Sequence, residues 1–217
     1  MNIIDTFSLS PVVSFDYKGN MNEIIEYSNS IEYKESGGKT NQKSKNHYVL
    51  DELKDLREFC IKCCEDYCKS ICDVNCGIDI QQSWINVNKT GDSFSSHWHP
   101  NSYLSGVFYI ASDVKKGAPI RFHNPLKNFS YYPDPQVSMI GTGIMSDGRN
   151  KYTMGQYDIA SIPGKLLVFS SMLTHSVPMN RSEESRVSLS FNTTPKRPFG
   201  SEDRFSRIAW LLLYKHI

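Results

Sequence analysis

The sequence has no apolar run that could cross a membrane. A transmembrane helix needs about 18 to 20 consecutive apolar residues, and no stretch of this chain approaches that length. The opening residues, MNIID, also lack the charged and apolar regions of a secretory signal peptide. We therefore expect a cytoplasmic protein without a membrane partner.

An excess of charge of either sign is missing as well. The 217 residues include 24 basic and 23 acidic side chains, which gives a formal net charge of +1. This balance requires no basic surface, so nucleic acid is not an expected partner. The length and the 39% of hydrophobic residues suit one domain with a full core. We divide it into an N-terminal arm with helices at 1–77, a β core at 78–195 and a C-terminal extension at 196–217.

The six cysteines lack the spacing of a structural zinc site. Such sites usually set pairs of ligands in two knuckles that are separated by a longer loop. Here all six lie between positions 60 and 76, and four of them recur every four residues, as a stripe along one side of a helix does. These four are Cys60, Cys64, Cys68 and Cys72. We interpret most of the cysteines as small core residues on a buried helix face, with metal ligation as the alternative.

Two helices are predicted in the N-terminal part of the chain. Apolar spacing predicts the first from Gly19 or Asn20 to about Tyr33. The second begins at Asp51, whose side chain can cap it, and ends before Gly77.

The remaining segments predict a mainly β fold. Residues 1–17 are typical of a β-prone arm that ends in an edge strand, and the polar residues 34–49 of a solvated loop. Short β-prone runs separated by turn signals follow. The predicted strands are 78–88, 94–99, 103–111, 119–123, 155–161, 165–171, 174–178 and 185–193. Many short strands after a helical start predict an α+β protein, a sandwich or barrel flanked by helices.

Two histidines, His97 and His99, stand one residue apart in a predicted strand. Alternate side chains of a strand share a face, so both imidazoles can reach one metal ion. A catalytic metal usually takes about three protein ligands and keeps a position open. The third candidate is His175, which a strand delivers after the Pro163-Gly164 turn. The alternative is a pair of ordinary surface histidines on a loop.

A polar stripe follows on the strand that begins at Arg186. Arg186, Ser188, Ser190 and Asn192 share one face of that strand. An inward face of this kind is costly unless it binds something, and an arginine beside hydroxyls suits a carboxylate. The alternative is a half-exposed strand whose polar face meets water. Together with three histidines, the stripe predicts a ligand site.

The motifs from Trp84 to Asn192 together resemble a known enzyme family. They read W-x-N, then H-x-H-P-N-S-x-L-S-G-V-x-Y, then H-x-V, and finally R-x-S-x-S-F-N. The pattern is similar to that of the 2-oxoglutarate/Fe(II)-dependent oxygenases common in bacteriophage and bacterial genomes, distant relatives of prolyl hydroxylases. The resemblance implies a double-stranded β-helix, a jelly-roll or cupin-like barrel of two facing four-stranded sheets.

The resemblance also implies a reaction and its cofactors. Fe(II), 2-oxoglutarate as cosubstrate and O2 would serve to hydroxylate a C–H bond of a peptide or small molecule, with release of succinate and CO2. A phage-encoded enzyme of this kind would work in the host cytoplasm.

The resemblance assigns roles to individual residues by their place in the motifs. It places the metal ligands at His97, His99 and His175. Arg186 matches the arginine that binds the C5 carboxylate of 2-oxoglutarate, and Tyr109 the tyrosine that often assists it. Further candidates for cosubstrate contacts or the cavity wall are Ser188, Ser190, Asn192 and Asn86.

One position departs from the family pattern. Most of the superfamily uses His-x-Asp/Glu…His, whereas His99 stands here at the carboxylate position. Three neutral imidazoles leave a divalent metal site at +2 instead of +1. Two other readings therefore stay open: a three-histidine, cupin-like dioxygenase that does not use 2-oxoglutarate, and a non-catalytic metal-binding phage module.

The long connection over 124–154 is the predicted substrate region. Loops of this length are often lids or binding insertions, and this one contains Tyr131, Tyr132 and Arg149. His123, just before it, is predicted either at the cavity mouth or on the surface.

Overall fold

The computed structural model describes residues 2–7, 10–36, 41–124 and 156–196. These residues form two α-helices, α1 (Met21–Ser30) and α2 (Lys54–Ile71). They also form twelve strands: β1 (Asn2–Phe7), β2 (Ser10–Asp16), β3 (Tyr33–Glu35), β4 (Gln42–Ser44), β5 (Ile78–Asn88), β6 (Phe94–His97), β7 (Leu104–Ala111), β8 (Ile120–His123), β9 (Gln156–Ile159), β10 (Lys165–Ser170), β11 (His175–Val177) and β12 (Arg186–Pro195). Neither described helix is long and apolar enough to span a membrane.

The strands form two antiparallel sheets that face each other. The larger sheet has the order β1-β2-β10-β7-β12-β5-β4-β3, and the smaller has the order β6-β11-β8-β9. The predicted fold class, mainly β with N-terminal helices, is confirmed. The smaller sheet has the expected four strands, whereas the larger has eight because N-terminal strands extend it at both edges.

Two apolar layers hold these elements together. One layer lies between the helices and the outer face of the large sheet, and the other between the two sheets. Strand β7 contributes Phe108 and Ile110 to the first layer and Val107 and Tyr109 to the second. A strand buried on both faces needs a continuous apolar run, which explains the sequence LSGVFYIA.

Most of the cysteines lie in the core, as predicted. Cys60, Cys63, Cys64 and Cys68 are buried on the sheet-facing side of α2, whereas Cys72 is exposed. Burial raises the pKa of the Cys63 thiol to about 12, so it stays protonated and inert at neutral pH. The buried cysteines therefore serve as small packing residues.

The N-terminal predictions need three corrections. Asn20 caps α1 as expected, but Asp51 does not cap α2, because Val49–Asp51 forms a separate 3₁₀ turn and α2 begins after Leu53 without a side-chain cap. Strand β2 is not an edge strand, since it lies between β1 and β10. The segment predicted as a solvated loop over 34–49 contributes β4 and most of β3, and β4 pairs with β5.

Gly106 gives a test of how tightly the large sheet packs. It lies opposite Phe191 on β12, and a Cβ at this position would overlap the Phe191 ring. We expect Gly106→Ala to lower the free energy of unfolding by about 1–3 kcal/mol, measured by urea denaturation. Gly77→Ala is the control, because its Cβ would meet only the flexible side chain of Lys196. Equal stabilities of the two variants would contradict this packing.

Candidate active site

Three histidines converge at one end of the space between the sheets. His97 ends β6 and lies directly opposite His175 on β11. The strand predicted over 94–99 stops at His97, so His99 lies in the following turn, where its N–H donates to the Ser171 carbonyl at 2.9 Å. One ring nitrogen from each of the three histidines lies within 4.8 Å of the others. The predicted H-x-H pair therefore meets its predicted partner.

Backbone carbonyls orient two of the three imidazoles. Nδ1 of His97 lies 2.9 Å from the Ser95 carbonyl oxygen, and Nδ1 of His175 lies 2.8 Å from the Leu173 carbonyl oxygen. A carbonyl only accepts, so we infer that each Nδ1 carries a proton and donates. The Nε2 lone pairs of both rings then point away from these carbonyls, and Nε2 of His175 lies 3.3 Å from Nε2 of His99, close enough for one metal ion to bind both.

Burial keeps the histidines neutral. Removal from water lowers the pKa of His175 to about 3 and that of His99 to about 4, and it lowers the pKa of His97 as well. The neutral imidazole is the form that binds a metal, so no proton must be displaced from these nitrogens at neutral pH. The three-histidine group thus fits a divalent transition metal.

Arg186 is a buried cation with only neutral partners. It is 2% exposed, and its Nε donates to the Ser161 hydroxyl at 2.9 Å. Its Nη1 donates to Asn88 Oδ1 at 3.3 Å and to the Ser188 hydroxyl at 3.0 Å. Among the residues that the structure describes, none accepts from Nη2 and no carboxylate pairs with the guanidinium. A buried charge is costly unless an opposite charge compensates it.

Two further donors beside Arg186 lack acceptors. The Tyr109 ring centroid lies 5.2 Å from Cζ of Arg186, and the Tyr109 hydroxyl is buried without a hydrogen-bond partner in the described chain. The Nδ2 amide of Asn88, which bonds Arg186 through its oxygen, is likewise buried and unpaired there. Buried polar groups are normally satisfied. A guanidinium with such neighbours fits a carboxylate ligand.

The histidines and Arg186 line the same cavity of about 270 Å³. This is near the lower end of the range of roughly 300–1,000 Å³ for small-molecule sites, so the ligand is small. No aspartate or glutamate is among the described residues of its wall, and the formal cations there are Lys43 and Arg186. The cavity is therefore suited to anions.

Most of the predicted site residues meet in this cavity. Its wall includes the histidine group and the polar stripe, namely His97, His99, His175, Arg186, Ser188, Ser190, Asn192 and also Asn86. Ser190 accepts from Asn86 at 3.1 Å, and Asn192 accepts from Ser105 at 2.9 Å, so protein partners already engage these side chains. Ser188 instead contacts the guanidinium of Arg186, which puts it closest to an anion bound there.

The other predicted residues lie elsewhere. Tyr109 contacts Arg186 from behind the wall. His123 bonds the Ser176 hydroxyl at 2.9 Å and is not in the cavity wall. Tyr131, Tyr132 and Arg149 lie outside the described residues.

Sequence reasoning missed several polar residues of the cavity wall, among them Asn88 and Lys43. Asn88 continues the alternation of Gln82, Trp84 and Asn86 along β5, so period-two reading of that strand contained the signal. Lys43 belongs to the segment that was predicted as a solvated loop, and no pattern in that segment indicated a strand.

Solved structures share this fold at low sequence identity. An oxidoreductase of the 2OG-Fe(II) oxygenase family from Burkholderia pseudomallei aligns with a TM-score of 0.55 and 13% identity over 84% of both chains. HygX from Streptomyces hygroscopicus, solved with nickel and 2-oxoglutarate bound, aligns at 0.57 and 11%, over 87% of this chain and 84% of its own. The epimerase SnoN from nogalamycin biosynthesis aligns at 0.56 and 13%, over 84% and 78% respectively. These likenesses support the double-stranded β-helix.

Comparison with family models identifies the family. No curated protein sequence matches the chain significantly. The model described as "Putative 2OG-Fe(II) oxygenase" matches residues 82–192, slightly more than half of the chain and the segment that carries all three histidines and Arg186. The chain therefore belongs to the 2OG-Fe(II) oxygenase family, whose enzymes use Fe(II), 2-oxoglutarate and O2.

Proposed function

We propose that His97, His99 and His175 hold Fe(II), that Arg186 anchors the C5 carboxylate of 2-oxoglutarate, and that the enzyme hydroxylates a C–H bond of its substrate. The observation that carries this proposal is the fully buried guanidinium of Arg186, which has only neutral partners and shares a cavity with the histidines. A dicarboxylate that spans the cavity compensates this charge at one end and reaches the histidine group at the other.

The residues around Arg186 prepare the anion site. Ser161, Ser188 and Asn88 hold the guanidinium in place through Nε and Nη1, so Nη2 is left for the ligand. Tyr109 packs its ring beside the guanidinium from behind the cavity wall and so helps to fix Arg186. Because the guanidinium is fixed before the ligand arrives, binding requires little reorganisation.

The chain contributes position and shielding to the reaction. When bound, Fe(II) with 2-oxoglutarate and O2 supplies the oxidising chemistry, in which succinate and CO2 are formed and one oxygen atom enters the substrate C–H bond. Carbonyl-oriented Nε2 atoms of His97 and His175 present fixed lone pairs. Apolar wall residues exclude water from the space beside them; these are Phe94, Val107, Ile120, Phe169 and Val177.

The substrate class and the cellular location are inferred from the sequence. We propose a peptide or small-molecule substrate, with contacts from Tyr131, Tyr132 and Arg149 in the 124–154 connection. A phage-encoded enzyme acting in the host cytoplasm is consistent with this proposal.

Product analysis tests the proposal. Purified protein with Fe(II), 2-oxoglutarate and ascorbate should form succinate in an O2-dependent manner, and hydroxylated product should follow when substrate is supplied. Heat-inactivated protein with the same additions is the control. Absence of any 2-oxoglutarate binding to the anaerobic Fe(II) protein would overturn the proposal.

The three neutral histidines favour one second candidate, a dioxygenase whose substrate binds iron directly. In that enzyme Arg186 would hold a carboxylate of the substrate itself. The discriminating measurement is O2 uptake: the oxygenase proposed above requires 2-oxoglutarate, whereas the second candidate consumes O2 with its own substrate alone.

A further inference from the structure

A second cation, Lys43 on β4, lines the active-site cavity. Its ammonium lies 4.2 Å from the ring centroid of Trp84, and the same indole lies 5.8 Å, centroid to centroid, from His99. Lys43 is half-buried. The ammonium is therefore held close to the histidine group rather than free in solvent.

Lys43 has no acidic partner in the described structure. The ion pairs found there use Lys45, Arg57, Arg121 and Lys165. Burial lowers the pKa of Lys43, and the neighbouring charge of Lys34 lowers it further. Contact with the Trp84 face offsets only part of the cost of holding this cation away from water.

The hairpin of β3 and β4 places a like charge beside Lys43. Lys34 lies directly opposite it across the two strands. Like charges at directly opposed positions destabilise an antiparallel pair. In the described part of the chain, no carboxylate forms an ion pair with Lys34 or Lys43. A bound anion would convert this unfavourable arrangement into a favourable one.

The charge of the site with metal and 2-oxoglutarate bound also favours a bound anion at Lys43, a step that rests on the proposed function. Three neutral histidines leave a divalent metal at +2. 2-Oxoglutarate offsets one of these two charges with the carboxylate beside its 2-oxo group and offsets the charge of Arg186 with its C5 carboxylate. One positive charge at the metal and that of Lys43 then remain in a small cavity whose described wall contains no acidic residue. A neutral substrate would leave both uncompensated at low local dielectric.

We propose that the substrate is an anion, and that Lys43 binds its carboxylate or phosphate group beside Trp84 while Lys34 adds long-range attraction. A lysine is a point charge with three donors, which suits either group. An anion on Lys43 would lie near His99, because the Trp84 indole contacts both side chains. The neutral imidazole of His99 leaves the metal site more positive than a carboxylate ligand would. It therefore favours an anionic substrate, as the cation of Lys43 does.

Anion binding to the loaded protein tests this proposal without any turnover. Protein loaded with Zn(II) and saturated with 2-oxoglutarate, so that Arg186 is occupied, is titrated at constant ionic strength with sulfate and separately with acetate. The indole N–H signal of Trp84 is followed by NMR. We expect a saturable shift, and the tighter of the two anions identifies a phosphate-like or a carboxylate group. No saturable shift with either anion overturns the proposal.

Variants locate the effect at Lys43. Lys43→Gln should weaken anion binding by at least about tenfold, and Lys43→Arg should retain it. Lys34→Gln, at an exposed position, should weaken it by a smaller factor and serves if Lys43→Gln does not fold. Lys45→Gln is the matched control, because Lys45 is exposed and paired with Glu32 at 2.7 Å. Equal anion affinities of wild type and Lys43→Gln also overturn the proposal.

Calorimetry on the same samples separates the two proposals. Lys43→Gln should bind 2-oxoglutarate as wild type does. If the wild type fails to bind 2-oxoglutarate, the proposed function is wrong. If it binds 2-oxoglutarate but the anions leave the Trp84 signal unchanged, only the anionic-substrate proposal is wrong.

Discussion

Arg186→Met should abolish most of the affinity for 2-oxoglutarate. Removing one partner of a buried, hydrogen-bonded charge pair costs about 2–5 kcal/mol, which corresponds to a loss of about 30-fold to several thousand-fold in affinity. The loss is large because Arg186 is fully buried and its neutral neighbours Ser161, Ser188 and Asn88 cannot replace its charge. Calorimetric titration of the metal-loaded, O2-free protein measures it.

The control for this variant is Arg121→Met. Arg121 forms a two-bond ion pair with Asp158 at 2.7 Å on the smaller sheet and is partly exposed. The Arg121→Met variant should bind 2-oxoglutarate as wild type does. Arg186→Lys keeps the charge but loses the planar fork, so it should bind with intermediate affinity and serves if the methionine variant does not fold. Unchanged affinity in folded Arg186→Met would exclude Arg186 as the anchor.

His175→Ala should remove stoichiometric metal binding. Loss of an outer-shell partner alone commonly costs 10–100-fold in metal affinity, so loss of a ligand should cost at least about 100-fold. His175 is the most deeply buried of the three histidines, and the Leu173 carbonyl fixes its ring. Metal content after dialysis against Fe(II) or Zn(II), measured by elemental analysis, gives the result.

His123→Ala is the matched control for this second variant. His123 lies on the neighbouring strand β8 and bonds Ser176, but it is not in the cavity wall. The His123→Ala variant should retain one metal ion per chain. If His175→Ala retained the metal as well, the three-histidine site would be wrong, and the chain would bind its metal elsewhere.

The parts of the site that sequence predicted are those set by local periodicity. The two-residue spacing of Arg186, Ser188 and Ser190 survives folding because β12 is a long strand that pairs with β5 in continuous register over these residues. The H-x-H pair meets His175 even though β6 ends at His97, because the turn that follows keeps His99 beside its partners. Strand periodicity was therefore sufficient for the polar stripe on β12, whereas His99 reaches the site from a turn.

The parts that sequence did not predict depend on tertiary pairing. Strands β3 and β4 have three residues each and a polar composition, so no intrinsic signal marks them. Strand β4 forms because the long strand β5 offers an unpaired edge. Lys43 enters the cavity wall only through that pairing, which explains why residues 34–49 were predicted as a solvated loop.

The position of the second helix shows a similar limit. Asp51 has the right chemistry for an N-cap, but Leu50 and Val49 are fully buried and hold this segment in a separate turn. Asp51 instead pairs with Arg57 at 3.3 Å. Packing of two apolar side chains thus overrode a local capping preference.

The most direct test of the central claim, that metal and 2-oxoglutarate occupy one site, is their coupling. 2-Oxoglutarate is titrated calorimetrically into O2-free protein with and without Fe(II). If both ligands share the cavity between the histidines and Arg186, Fe(II) strengthens 2-oxoglutarate binding, and 2-oxoglutarate strengthens Fe(II) binding by the same factor. Equal 2-oxoglutarate affinity with and without Fe(II) would contradict the claim.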